Sequence, residues 1–148
     1  MLRPESGPFR NAQPDNSSAD VIYPVATDED VVHLRRIVRE RAIALGFSLI
    51  EQTKTVTAAS ELARNVLRYG GGGEMRLTVR QNDLKRGLQL AFVDHGPGIP
   101  DVQQALQDGF TSGGGLGLGL GGSKRLVDDF HIETAPGQGT TVTIVKWK

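Results

Sequence analysis

Leu90-Ala91-Phe92-Val93-Asp94-His95-Gly96-Pro97-Gly98-Ile99 runs from an unbroken apolar segment into an aspartate and then at once into a glycine-proline-glycine turn. A short apolar run bounded by turn residues reads as a buried strand, which leaves Asp94 at its C-terminal end. A carboxylate placed there can accept hydrogen bonds from an exocyclic amine or a ring N–H. The glycines that follow let a planar molecule come close to the backbone. Read alone, the same residues also make an ordinary Asp/Gly turn.

Working downstream, glycine thickens. The chain holds 19 glycines in 148 residues, nearly twice the usual share of about 7%, and eight of them fall between Gly109 and Gly122. In Gly113-Gly114-Gly115-Leu116-Gly117-Leu118-Gly119-Leu120-Gly121-Gly122-Ser123-Lys124 the leucines alternate with glycines just before a helical pattern. Glycine backbone N–H groups leading into a helix N-terminus suit a polyphosphate, and the leucines can pin the segment to a core. Gly117–Gly122 formally matches the dinucleotide fingerprint, but no strand precedes it and position 142, where an acid should stand, is a valine. A P-loop needs lysine before serine or threonine, and here Lys124 follows Ser123. Asp94-His95-Gly96 stands where a eukaryotic kinase would have D-F-G, but no H-R-D-x-x-x-x-N accompanies it.

Working upstream, a helix is expected from about Glu51 to Tyr69, ending at the Gly70–Gly73 block. At about 100° per residue, Val56, Ala59, Ala63, Val66 and Leu67 group on one side and Glu61, Asn65 and Arg68 on the other. A carboxylate and an amide four residues apart point the same way and can share one ligand. Such a pair is also what a plain solvated face would show.

The remaining elements frame these three. Residues 1–20 are proline-rich and aperiodic and read as a flexible tail, with one domain over 21–148. Val21–Val25 reads as an edge strand because of its internal Pro24. Thr27 should cap a helix carrying Val31, Leu34, Val38, Ala42 and Leu45, closed by Gly46. Strands are expected at Glu74–Arg80 and Gly87–Val93, joined through the polar Gln81–Arg86 segment. A short helix over Pro100–Asp108, a helix from Gly122 toward Phe130, and a hairpin of His131–Thr134 with Thr140–Trp147 complete the chain. Helices early and adjacent strands late predict an α+β two-layer sandwich, a mostly antiparallel sheet covered on one face by helices.

Seventeen basic residues balance seventeen acidic ones, which gives no electrostatic case for nucleic acid or an anionic membrane. The absence of cysteine excludes disulfides and thiolate metal sites. No apolar run approaches the roughly 20 residues of a membrane span, and no signal peptide opens the chain. A soluble cytoplasmic domain is the expectation.

Taken together, Glu61-Leu62-Ala63-Arg64-Asn65, Asp94-His95-Gly96-Pro97-Gly98, Gly115-Leu116-Gly117-Leu118-Gly119 and Gly139-Thr140-Thr141-Val142 resemble the N box, the two glycine boxes and the terminal threonine motif of the GHKL superfamily of ATP-binding domains. The likeness spans residues 21–148 with the motifs in family order and implies the Bergerat fold. A stand-alone domain with no phospho-accepting histidine context is similar to the bacterial anti-sigma-factor and stressosome switch serine/threonine kinases. By this resemblance Asp94 would take the adenine amino group, with Gly96 and Gly98 alongside and Thr140 bridging to the ring through water. Asn65 would hold Mg²⁺, and Gly115, Leu116, Gly117, Leu118 and Gly119 would form a lid on the phosphates of ATP. Glu61 would be the catalytic base for an incoming hydroxyl. Lys124 and Arg125, at the start of the next helix, could add charge at the phosphates or simply be solvated. Gly113 and Gly121 depart from the serine and proline common in such kinases and would loosen the lid. The resemblance further implies a STAS-domain antagonist protein as phosphorylation substrate and a PP2C-type phosphatase or a sigma factor as alternate partner. A nucleotide-gated module that sequesters its partner without chemistry is the rival expectation.

Overall fold

The computed structural model describes residues 20–99, 102, 106 and 119–148. Five strands, β1 (Val21–Val25), β2 (Gly73–Asn82), β3 (Lys85–Asp94), β4 (Asp129–Thr134) and β5 (Thr140–Trp147), form one sheet. Their order is β1-β2-β3-β5-β4 and every pairing is antiparallel. Three helices accompany them among the described residues, α1 (Asp28–Ala44), α2 (Leu49–Gly70) and α3 (Gly119–Leu126).

Alternation of side chains decides which face of the sheet is covered. Met75 and Leu77 of β2, Leu88, Leu90 and Phe92 of β3, and Val142 and Ile144 of β5 share one face and are all buried. On the opposite face of β2 and β4, Arg76, His131 and Glu133 remain exposed. Helix α2 lies over β1, β2, β3 and β5, α1 packs beside it, and α3 packs against it in turn. Val56, Ala59, Leu62, Ala63 and Val66 of α2 are buried, each of the larger apolar side chains contributing roughly 1.5–3 kcal/mol.

Both long helices begin with reciprocal caps. Thr27 accepts from the Asp30 N–H at 3.1 Å while the Asp30 carboxylate accepts from the Thr27 N–H at 3.1 Å and the Ala26 N–H at 2.8 Å. Ser48 and Glu51 repeat the arrangement at 3.1 and 2.7 Å. The backbone N–H groups, of Ala26 first in one case and of Ser48 in the other, hold both carboxyls below their ordinary range.

Three expectations shift. Helix α1 ends at a Leu45 cap with Gly46 one position beyond, at φ 85°, the usual left-handed position. The expected six-residue connection of β2 and β3 is only the Asp83-Leu84 turn, because pairing continues out to Asn82↔Lys85. The helix placed over Gly122–Phe130 is Gly119–Leu126. Asp128 turns the chain back into the sheet, donating its N–H to the Val145 carbonyl at 3.0 Å and accepting from the Trp147 N–H at 2.6 Å. Gly121 is therefore a buried residue of α3. Of the expected Pro100–Asp108 helix, the Leu106 N–H donates to the Val102 carbonyl at 3.0 Å, a helical bond; its other residues lie outside the described ones, as do residues 1–19.

Candidate functional site

Register carries five residues into one row across the end of the sheet on its helix-covered face. Val25 pairs Gly73, Gly73 pairs Asp94, Asp94 pairs Thr140 and Thr140 pairs Thr134. The sequence places Asp94 at a strand end, and the structure adds what surrounds it.

Helix α2 comes down on this row and stops there. Gly71, at φ 73°, is its left-handed cap, so Gly70 is the last helical residue and lies against Asp94. A Cβ built on Gly70 would stand 2.3 Å from Asp94 Cγ and 2.6 Å from Oδ2, a separation no real side chain holds. On the other flank a Cβ on Gly139, at φ 84°, would stand 2.2 Å from the Asp94 carbonyl oxygen. Gly96 backs onto Gly70 and the Tyr69 carbonyl, and its N–H donates to Asp94 Oδ1 at 2.9 Å. That bond orients the carboxylate and leaves Oδ2 on the Gly70 side. The aspartate thus stands half-buried in a clearing made by glycine, where its neighbours at 70, 96 and 139 contribute backbone and no side chain.

The β4–β5 turn clamps the loop after Asp94. The Gly137 N–H donates to the Pro97 carbonyl at 2.9 Å, and Gly98, at φ 83°, sits against the Ala135 carbonyl. The Ile99 N–H donates to Thr134 Oγ1 at 2.9 Å. Thr140 is buried at 8% exposure, its hydroxyl 3.0 Å from Thr134 Oγ1. Gly96, Gly98, Asp94 and Thr140 are accordingly brought together.

Asn65 and Glu61 are on α2, five and nine residues before Gly70. A helix rises 1.5 Å per residue, so they stand about 7.5 and about 13.5 Å along the axis from the Asp94 end. Both are half-buried rather than solvated. The helix wheel gives α2 one covered side, but α3 covers a second, and Ser60, beside Glu61, is buried as well. Arg68 is exposed and Tyr69 is 42% exposed at the same helix end.

Gly115, Leu116, Gly117 and Leu118 lie outside the described residues. Gly119 opens α3 at φ 58°, and its carbonyl accepts from Ser123 Oγ at 3.1 Å. Leu120 is buried, as the alternating leucines suggest for an anchor. Lys124 and Arg125, expected at the helix start, are exposed in its last turn. Among the described residues no three His, Cys, Asp or Glu side chains gather to hold a metal, and no helix is long and apolar enough to cross a membrane.

Sequence reasoning passed over Gly70 and Thr134. Gly70 reads as a helix terminator, and only the structure shows what it terminates against. Thr134 was accessible in principle, since period-2 alternation across the closing hairpin places it opposite Thr140.

Comparison with known proteins points the same way. Residues 50–148 match the family described as histidine kinase-, DNA gyrase B-, and HSP90-like ATPase. The chain is 42% identical over 123 residues to the serine/threonine-protein kinase RsbT of Bacillus subtilis, spanning 83% of this chain and 92% of that one. An anti-sigma F factor of Bacillus licheniformis is 32% identical over 103 residues, 65% of this chain and 69% of the relative. A crystal structure of the RsbU and RsbW domains of a Mycobacterium tuberculosis protein superposes with a TM-score of 0.56 at 19% identity, covering 90% of this chain and 32% of that one. That last likeness concerns the fold.

Proposed function

The chain belongs to the histidine kinase-, DNA gyrase B-, and HSP90-like ATPase family, on its serine/threonine kinase branch, and from that premise we propose that it transfers the γ-phosphoryl group of ATP to a hydroxyl of a small STAS-domain antagonist protein. In the same proposal it alternates between that substrate and a second partner, a PP2C-type phosphatase in preference to a sigma factor, within a cytoplasmic partner-switching pathway. The 42% identity to RsbT supports the kinase, and the anti-sigma F relatives support partner exchange.

One observation supports the chemistry above the others. A single helix, α2, touches Asp94 at one end through Gly70 and carries Asn65 and Glu61 at increasing distance from it. An extended ATP with its adenine at Asp94 would lay its phosphates along this helix. Asp94 would accept from the adenine amino group, discriminating against a base that presents an acceptor there. Thr140, its cross-strand neighbour, would reach the ring through water. Gly96 and Gly98 would let the loop backbone come close to the base, and Gly115 to Gly119, with their intervening leucines, would fold over the phosphates.

Asn65, with an amide oxygen to offer, would hold Mg²⁺ together with phosphate oxygens, a donor set that suits an ion which keeps few protein ligands. When bound, the ion supplies charge neutralisation on the phosphates. Glu61, one turn earlier, would accept the proton of the incoming serine or threonine hydroxyl. Phosphoryl transfer asks the protein mainly for position and electrostatic support, and a rigid helix supplies the first.

The test uses γ-labelled ATP and Mg²⁺ with the purified protein and host-cell extract. Wild type should label a small extract protein and Asn65→Ala should not; label persisting in the variant overturns the role of Asn65. Binding of ATP with no turnover would make the chain a nucleotide-gated sequestering module instead. Asp94→Asn should weaken ATP binding by about tenfold, the loss of one net charge-assisted hydrogen bond; calorimetric titration showing unchanged affinity removes the adenine role.

A further inference from the structure

Thr134 lies on the edge strand β4, outside all four motifs, yet three polar groups converge on its hydroxyl. The Ile99 N–H donates to Oγ1 at 2.9 Å, the Gly139 carbonyl lies 3.2 Å away and Thr140 Oγ1 3.0 Å away. A threonine hydroxyl has one proton and two lone pairs. One lone pair is taken by Ile99, so the proton goes either to the Gly139 carbonyl or to Thr140.

The two choices give Thr140 opposite polarity. If Thr134 donates to Gly139, its second lone pair receives the proton of Thr140, and Thr140 faces its neighbours as an acceptor. If Thr134 donates to Thr140 Oγ1, the proton of Thr140 is released toward the Asp94 side. Asp94, the cross-strand neighbour of Thr140, is already an acceptor. A water bridging Thr140 to the base would give one proton to the adenine ring nitrogen and the other to the Asp94 carboxylate, so it is held only when Thr140 donates to it.

We propose that Thr134 is a positioning residue for nucleotide recognition, making the Thr140 hydroxyl a donor toward the base. The inference rests on the adenine site described above. Its surroundings hold it in place: the Gly137 N–H to Pro97 carbonyl bond and the contact of Gly98 with Ala135 fix the same loop to the same hairpin on either side of Thr134.

The experiment is a double-mutant cycle read by titration with ATP and Mg²⁺. Thr134→Val keeps the shape and removes the hydroxyl, and should weaken ATP binding about tenfold, the equivalent of one net hydrogen bond. Thr134→Ser should stay within about twofold of wild type. Thr140→Val should lose about as much as Thr134→Val, and the double variant should bind no more than about twofold more weakly than Thr140→Val alone, because the two hydroxyls act as one unit. Unchanged affinity in Thr134→Val, an equal loss in Thr134→Ser, or additive losses in the double variant each overturn the proposal. If Thr140→Val itself binds ATP normally, the adenine site as described is wrong and this inference falls with it. If Thr140→Val weakens binding and Thr134→Val does not, only the present inference falls. Should Thr134→Val fail to fold, as circular dichroism would show, Thr134→Ala carries the same expectations.

Discussion

The central strands β3 and β5 end in two different ways, and glycine is present at both ends. At the far end Gly87 pairs Trp147, and the indole lies so close that a Cβ on Gly87 would stand 2.6 Å from its Cε3. The indole N–H donates to Asp129 at 3.0 Å, and the Arg80 and Lys85 cations stand 5.5 and 5.8 Å from the ring centroid. At the near end Asp94 pairs Thr140, and Gly70, Gly96 and Gly139 press in with backbone alone. In the first case glycine makes room for the protein's own side chain. In the second it brings backbone alone up to a carboxylate that accepts from the Gly96 N–H. Glycine density by itself therefore does not mark a site; what fills the space does. Helix α2 joins the two ends, since Glu51 in its first turn feels Lys146 and Lys148 while Gly70 in its last touches Asp94.

The comparison breaks most readily at Gly70. Gly70→Ala puts a methyl group 2.3 Å from Asp94 Cγ and 2.4 Å from its Cβ, so the end of β3 must shift and carry the carboxylate out of its present place. Overpacking of this kind typically destabilises by about 1–3 kcal/mol, which the gain of about 1 kcal/mol from alanine over glycine in a helix offsets only in part. ATP affinity should fall by about a hundredfold, roughly 2.8 kcal/mol. Calorimetric titration beside a thermal melt checks both halves. Normal ATP binding in a folded Gly70→Ala protein would mean the clearing around Asp94 has no part in recognition.

Gly87→Ala should cost stability and leave affinity alone. The added methyl displaces Trp147 from the sheet face, an overpacking change that typically destabilises by about 1–3 kcal/mol. ATP affinity, read some distance away at the other ends of the same strands, should remain within about twofold. A chemical denaturation midpoint that fails to move would show the indole to be loosely seated. A large loss of ATP affinity would show that the two ends are mechanically coupled through β3 and β5.

These contrasts mark where sequence reasoning carried and where it stopped. The period-3.6 pattern of Val31, Leu34, Val38 and Ala42 and the period-2 pattern of Leu88, Leu90 and Phe92 place helix and strand because each is enforced by burial on one side. Asp94 and Thr140 could be picked out because they sit in motifs with close chain neighbours. Gly70 could not be, since its importance lies in a contact 24 positions away in the chain, and Thr134, within reach of hairpin alternation, lies outside every motif with its partner 6 positions away. The half-burial of Glu61 and Asn65 also escaped a single helix wheel, which registers one packing surface when α2 has two. Turn boundaries slipped for a related reason: nothing local says that polar Gln81 and Asn82 go on pairing with Arg86 and Lys85. Pairing energy across the hairpin, and not composition, extends those strands.

The smallest expected effect belongs to the closed end, at Glu51. Its carboxylate accepts from the Ser48 N–H at 2.7 Å, and that bond, with help from the Ser48 hydroxyl, Lys146 and Lys148, holds its pKa below 4.5. A carboxyl with a depressed folded-state pKa adds stability above its unfolded value, and that contribution disappears as pH falls through the folded one. Glu51→Gln keeps a side-chain oxygen able to complete the cap but removes the charge. Wild type should therefore be slightly more stable than Glu51→Gln at pH 7, and the gap should close as pH falls below 4.5, measured by denaturation at a series of pH values. A gap that stays constant with pH would assign the interaction to shape and not to charge. ATP affinity should be the same in both proteins at pH 7, because Glu51 sits nineteen residues before Gly70 on α2, about 28 Å along the helix from the clearing around Asp94.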